Sequence, residues 1–305
     1  IQQNPFTKEY GFYGVMGVDE FHMMVNNNCF VNYLGKKSME FTLKVIEEMR
    51  TSAPEKLKEV ENKTQFTVTE LADWKEMAEK TALPKDPATG IYDQHDGYST
   101  LPYIDINTIP ITDFPLYHNW SYDRIYRTSM IKQADVLMML FLYSQDFSKE
   151  SKKVNYEYYE PRCIHESSLS PSVHSIVASE IGMHEEAYKF FQFATRLDLD
   201  DYNRNTNEGL HTTSIAAAWL NIVYGFGGMR SDREVLLFNP SIPKVWNSYS
   251  FRIIYKDSIL IVSIDKTSVN FKIDGSSVVD INVYGRNYEI NSTGLTLNIP
   301  VEFLA

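Results

Sequence analysis

Ile215-Ala216-Ala217-Ala218-Trp219-Leu220, then Gly225-Phe226-Gly227-Gly228, then Val235-Leu236-Leu237-Phe238, is the stretch where the chain changes texture. The first run gathers small apolar residues that let a helix pack closely, and the glycine run stops it. The third run is short, β-branched and aromatic, as a strand requires. Because those glycines follow a helix and do not open one, they do not form a dinucleotide fingerprint.

Working outward, helical spacing of apolar residues predicts helices over about 28–50, 67–81, 119–145, 171–182, 185–196 and 213–224. Residues 82–118, with Pro84, Pro87, Pro102, Pro110 and Pro115, read as long loops of the kind that carry function. Beyond the glycines, Phe251-Arg252-Ile253-Ile254-Tyr255, Ser258 to Ser263 and Val269 to Ile273 read as a strand meander broken at Asp257, Asp274-Gly275 and Gly285-Arg286-Asn287. The reading is a mainly α chain, 1–230, followed by a small antiparallel, β-sandwich-like domain, 231–305.

A chain of 305 residues can bury a substantial core. Its 29 Lys and Arg against 40 Asp and Glu give −11, and no basic run occurs, so nucleic acid is excluded as an expected partner. Cys29 and Cys163, each among apolar neighbours, read as buried thiols in a reducing, cytoplasmic compartment. No apolar run reaches membrane-spanning length. Ile1-Gln2-Gln3-Asn4-Pro5 lacks the character of a signal peptide, and the missing initiator Met suggests a start inside a longer chain.

Four segments carry chemistry. In Gly17-Val18-Asp19-Glu20-Phe21-His22, one acid follows the apolar Gly14-Val15-Met16, a setting that would keep a carboxyl protonated as a proton donor; a loop acid capping the next helix also fits. Ser170-Pro171 marks a helix start with Ser170 as N-cap, so Ser167 and Ser168 precede a helix N-terminus suited to an anion; a plain capping loop also fits. His211 precedes the N-cap of the helix that begins near Thr213, as an anion ligand or as a structural histidine. Lys132 and Gln133 lie in the apolar run to Leu142, where Lys132 either pairs with Asp135 at helical spacing or grips substrate hydroxyls. No metal site is expected: the histidines lack ligand spacing, and His165 and His174 are expected to face apart.

In order along residues 11–240, these segments and Asn26-Asn27-Asn28, Gln94-His95-Asp96-Gly97-Tyr98, Leu197-Asp198-Leu199-Asp200-Asp201 and Glu208-Gly209-Leu210-His211 resemble glycoside hydrolase family 65. These are the phosphorylases of maltose, trehalose and kojibiose. The resemblance implies the later helices of an (α/α)6 toroid with a small β domain behind it. It implies an enzyme for inverting phosphorolysis of an α-glucosyl disaccharide or glucoside to β-glucose 1-phosphate. By matching position Glu20 is the general acid, Ser167, Ser168 and His211 hold phosphate, and Lys132, Gln133, His22 and Asn27 bind substrate. Phosphate is a substrate, so no cofactor is implied, and the complete enzyme is expected to be a homodimer.

Val18 replaces the family's usual proline and Met23 a polar residue, so the acceptor does not transfer. The chain reads as the C-terminal portion of such an enzyme, and alone it is expected to associate or to need the rest. Two alternatives stand: an inverting hydrolase with Glu166, Glu160 or Asp96 as base, and an inactive fragment.

Overall fold

The computed structural model describes residues 1–275 and 277–304. A long helix α1 (Cys29–Ser52), started by the Asn28 side chain accepting from the Val31 amide, is followed by α2 (Pro54–Thr64) and α3 (Val68–Glu79). Thr67 and Glu70 cap α3 reciprocally, each side chain bonding the other's backbone amide. After the proline-rich loops come two short helices, α4 (Leu116–Asn119) and α5 (Tyr122–Tyr126), then α6 (Val136–Leu142) and α7 (Lys149–Tyr159). The helical part ends with α8 (Ser170–Ile181), α9 (His184–Arg196) and α10 (Thr212–Leu220), which continues as a π-helical turn over Asn221–Phe226.

Helix α8 is the hub. Every residue in it except Glu180 is buried, and Val173, Ile176, Val177 and Ile181 join Leu137, Leu140, Tyr156, Ala187 and Phe190 in one core. Such a helix forms because its neighbours cover it on all sides, which its modest sequence amphipathicity does not require.

The single helix expected over 119–145 is not there. Ile131 instead pairs in register with Cys163, its amide bonding Arg162 O at 2.9 Å while its carbonyl accepts from the Ile164 amide at 2.9 Å. Those bonds take the backbone groups a helix would use, so the segment stays irregular until α6 begins at Val136. Ser170 is likewise not the N-cap: it is the first residue of α8, and Pro171 follows at the second position.

Two short strands near the N-terminus pair as a hairpin, β1 (Gln2–Gln3) with β2 (Tyr10–Gly11). The C-terminal strands are β3 (Leu236–Phe238), β4 (Ser248–Tyr255), β5 (Ser258–Asp265), β6 (Ser268–Asp274), β7 (Val279–Val283), β8 (Arg286–Ile290) and β9 (Leu295–Asn298). They form an antiparallel sheet β4-β5-β6-β9 and a second sheet β3-β7-β8. The β3–β7 ladder is parallel, Leu236 opposite Ile281, which corrects the wholly antiparallel expectation. The meander stops at β6; β7 and β8 leave for the other sheet before β9 returns.

Inward residues of both sheets share one core, with Phe238 and Phe271 packed edge to face at 5.3 Å. Trp246 lies against Phe191 and Phe226 of the helical part and against Tyr249 of β4, so the two parts meet through aromatic packing. Among the described residues, no helix is long and apolar enough to cross a membrane. Cys29 and Cys163 are free, buried thiols.

Candidate functional site

Three stretches of irregular backbone converge. Residues 18–22 form a turn ahead of α1, residues 130–135 follow an irregular, bent path before α6, and residues 163–169 lead into α8. The Ile131–Cys163 pairing sets the second beside the third, and the Lys132 amide bonds Asp19 Oδ1 at 2.8 Å, which sets it beside the first.

Across that junction the Lys132 ammonium pairs with the Glu20 carboxylate. The Glu20 side chain is 45% exposed, so the apolar surroundings expected from sequence are replaced by a solvent-facing ion pair. Lys132 stands on no helix and does not pair with Asp135; its ammonium also lies 5.0 Å from the centre of the Tyr117 ring. Gln133 is buried, and its amide donates to Val18 O.

His22 and Asn27 are 1% and 5% exposed. His22 places Nδ1 2.8 Å from Asp19 Oδ2 and Nε2 2.9 Å from Thr128 O, so both ring nitrogens can donate and the cation is satisfied. Burial pulls this imidazole's pKa down, but Asp19, by hydrogen bond and charge, and the Thr128 carbonyl more than reverse it. With both nitrogens engaged, His22 offers nothing to a sugar. Asn27 is held by Asp96 and Asn32.

Ser167 and Ser168 are partly exposed just before α8, with Ser167 Oγ accepting from the Leu169 amide at 3.2 Å. Between them and His165, Glu166 is 5% exposed; its Oε1 accepts from the Leu116 amide at the start of α4, and Oε2 has no partner among the described residues. Burial raises the Glu166 pKa to about 7, against the pull of the Leu116 and Tyr117 amides and of Lys132 nearby.

His211 stands at the start of α10, its Nδ1 2.5 Å and its amide 2.9 Å from the two oxygens of Asp198. The carboxylate accepts from Nδ1–H and fixes the ring's orientation, and among the described residues Nε2 makes no hydrogen bond. The loop between Asp198 and His211 is laced to the other stretches, Asn203 to His165 O at 3.3 Å and Asn205 to Tyr117 Oη at 3.0 Å. Among the described residues no hydrogen bond joins His211 to Ser167 or Ser168.

His165 and His174 do not face apart: their ring centres are 4.5 Å from each other. With Cys163 they gather ligand-type atoms within 4.8 Å. Ser170 Oγ occupies the middle, 3.0 Å from Cys163 Sγ, 2.9 Å from His165 Nδ1 and 3.4 Å from His174 Nδ1. Burial pushes the thiol up to about 12 and both imidazoles down, His174 to about 4, so the group is a neutral hydrogen-bonded cluster behind the serine loop.

Sequence reasoning gave no role to Asp19, Tyr117 or Asp198, and gave Asp135 only a pairing with Lys132 that the structure does not show. Asp19 and Asp198 stood inside quoted motifs, so their signal was adjacency to Glu20 and to the His211 helix; Tyr117 lay in a loop with none.

The Glycosyl hydrolase family 65 central catalytic domain matches residues 3–220, and that family's C-terminal domain matches residues 229–290. The chain therefore belongs to glycosyl hydrolase family 65. Maltose phosphorylase of Bacillus subtilis is 38% identical over 276 residues, covering 90% of this chain and 36% of that protein. Kojibiose phosphorylase of Halothermothrix orenii is 34% identical over 304 residues, 98% of this chain and 39% of that protein. A solved structure titled "Putative kojibiose phosphorylase from human microbiome" superposes with a TM-score of 0.88 at 47% identity, covering 97% of this chain and 39% of that one. The chain thus spans well under half the length of the relatives it matches.

Proposed function

We propose that this chain supplies the acid and phosphate-binding part of an inverting disaccharide phosphorylase, an enzyme built on an (α/α)6 toroid to which α1 through α10 contribute the later helices. The reading rests on the Glu20–Lys132 pair beside the serine loop that opens α8. Substrate hydroxyls draw Lys132 away from Glu20, which takes up a proton and gives it to the glycosidic oxygen as the bond from that oxygen to the anomeric carbon breaks. Phosphate, held by Ser167, Ser168 and His211, attacks the same carbon from the opposite face. The products are β-glucose 1-phosphate and the acceptor with its hydroxyl restored. The acid is left ionised, a form that Lys132 stabilises, and regains its proton from solvent.

Lys132 and Gln133 hold glucosyl hydroxyls once substrate displaces water. Phosphate is consumed as a substrate and no cofactor enters. The exposed side chains of Phe41, Ile215 and Trp219 suit a face covered by further helices or a second copy, in keeping with a homodimer of the complete enzyme. Two free thiols suit the cytoplasm. Residues 1–230 and 231–305 serve as the catalytic and the β-sandwich-like domain.

The test is product analysis with maltose, trehalose and kojibiose, each with and without inorganic phosphate. β-Glucose 1-phosphate that forms only with phosphate is the expected result. Free glucose formed without phosphate favours hydrolysis, for which Glu166, buried beside Lys132, is the base to test first. No product under either condition overturns the reading for this chain.

A further inference from the structure

Asp19 is fully buried and its carboxylate takes four donors. Oδ1 accepts from the Phe21 amide at 3.2 Å and the Lys132 amide at 2.8 Å; Oδ2 accepts from Gln94 Nε2 at 2.9 Å and His22 Nδ1 at 2.8 Å. Phe21 follows Glu20 directly, so one carboxylate grips the backbone on both sides of the Glu20–Lys132 ion pair. The other side of the turn is held in the same way: Asp135 Oδ2 accepts from the Asp19 amide and from Asn28 Nδ2, both at 3.2 Å. His22, whose two nitrogens bond Asp19 and the Thr128 carbonyl, is then explained as the buried support that holds Asp19 in place.

We propose that Asp19 is a positioning residue that sets the distance between the proton donor Glu20 and the ammonium of Lys132, with His22 and Gln94 as its fixed supports. A carboxylate bridging two chain segments holds them at hydrogen-bond length with little freedom, whereas an amide in its place would turn an N–H group toward existing donors. The effect falls on the acid step, because the two backbone groups that Asp19 holds belong to the acid turn and to the lysine facing it.

This inference rests on the phosphorolytic reading above, and the experiment separates the two. Asp19→Asn and Glu20→Gln are each assayed with phosphate on kojibiose, whose leaving group needs a proton, and on α-glucosyl fluoride, whose leaving group needs none. The expected result is a loss of about 100-fold for Asp19→Asn on kojibiose but only a few-fold on the fluoride, with KM for phosphate unchanged. Glu20→Gln should show the same leaving-group dependence more steeply. Equal losses on both donors for Asp19→Asn, while Glu20→Gln remains selective, overturn the positioning role alone. Equal losses for Glu20→Gln itself overturn the acid assignment. If Asp19→Asn does not fold, Gln94→Met, which removes one support and leaves the carboxylate, should give a smaller loss of the same selectivity; an equal loss on both donors overturns the proposal.

Discussion

Glu20 and Lys132 form an ion pair across 112 residues of sequence, on two turns that no helix or sheet supports. Behind them the buried Asp19 carboxylate accepts from the Lys132 amide and from the Phe21 amide.

Replacing Glu20 by Gln removes the transferable proton and keeps the shape of the side chain. Turnover of an unactivated disaccharide should fall by about 1000-fold or more, while the unfolding midpoint stays within a few degrees because the side chain is 45% exposed. Steady-state kinetics with circular dichroism checks both; near-normal turnover would remove Glu20 from the acid role.

Ser168→Ala and His211→Ala should each raise KM for phosphate about tenfold and leave KM for the sugar close to normal, as loss of one anion contact predicts. Asp198→Asn should follow His211→Ala, since Asp198 fixes the orientation of the His211 ring. Equal rises in both KM values would mark these residues as structural.

The acid turn makes the protein less stable as pH rises. Burial brings the Asp135 pKa to about 7 from its usual 3.8, and the His22 pKa is raised as well. A group with a raised folded pKa gives stability that is complete below its unfolded pKa and is lost as pH climbs through the folded one. For Asp135 that window runs from 3.8 to about 7, and the loss is at most about 4 kcal/mol at about 1.4 kcal/mol per pKa unit. Burial of His165 and His174 works the other way up to about pH 6.5, so the comparison is with the variant: between pH 5 and pH 8 the thermal midpoint of the protein should fall relative to that of Asp135→Asn. A difference between the two that stays constant over that range contradicts the account.

A second buried network ties the helical part to the segment entering the β domain. Glu180 of α8 accepts from Lys152 of α7 and from Arg230 Nη2, the latter at 2.7 Å, while Arg230 Nε also donates to Ser144 at 2.8 Å. The charges of Arg230 and Lys152 overcome burial and hold the Glu180 carboxyl below its usual range. Glu180→Gln leaves two cations short of a partner and should cost about 3 kcal/mol in denaturant unfolding. A change below about 0.5 kcal/mol would show that the network contributes little.

The helices α1, α3, α8 and α9 were legible because each has a local apolar period and a local stop. The break at Ile131 was not, because nothing near it in sequence announces that Cys163 will take its backbone hydrogen bonds. The same limit hid β7 and β8, which lie on the other sheet, and put His165 and His174 on opposite faces when a common serine draws them together.

By itself the sequence determined the order of helices and then strands, the two buried thiols, and the set of chemically able residues: Glu20, Lys132, Ser167, Ser168 and His211. Those follow from side-chain type and short-range spacing, which the chain carries at every point along its length. Only the tertiary structure decided that Lys132 faces Glu20 instead of Asp135, and that His22 bonds Asp19 and the Thr128 carbonyl. Pairing over more than a hundred residues is fixed by which buried donors find acceptors once the core closes, and a linear pattern does not record that.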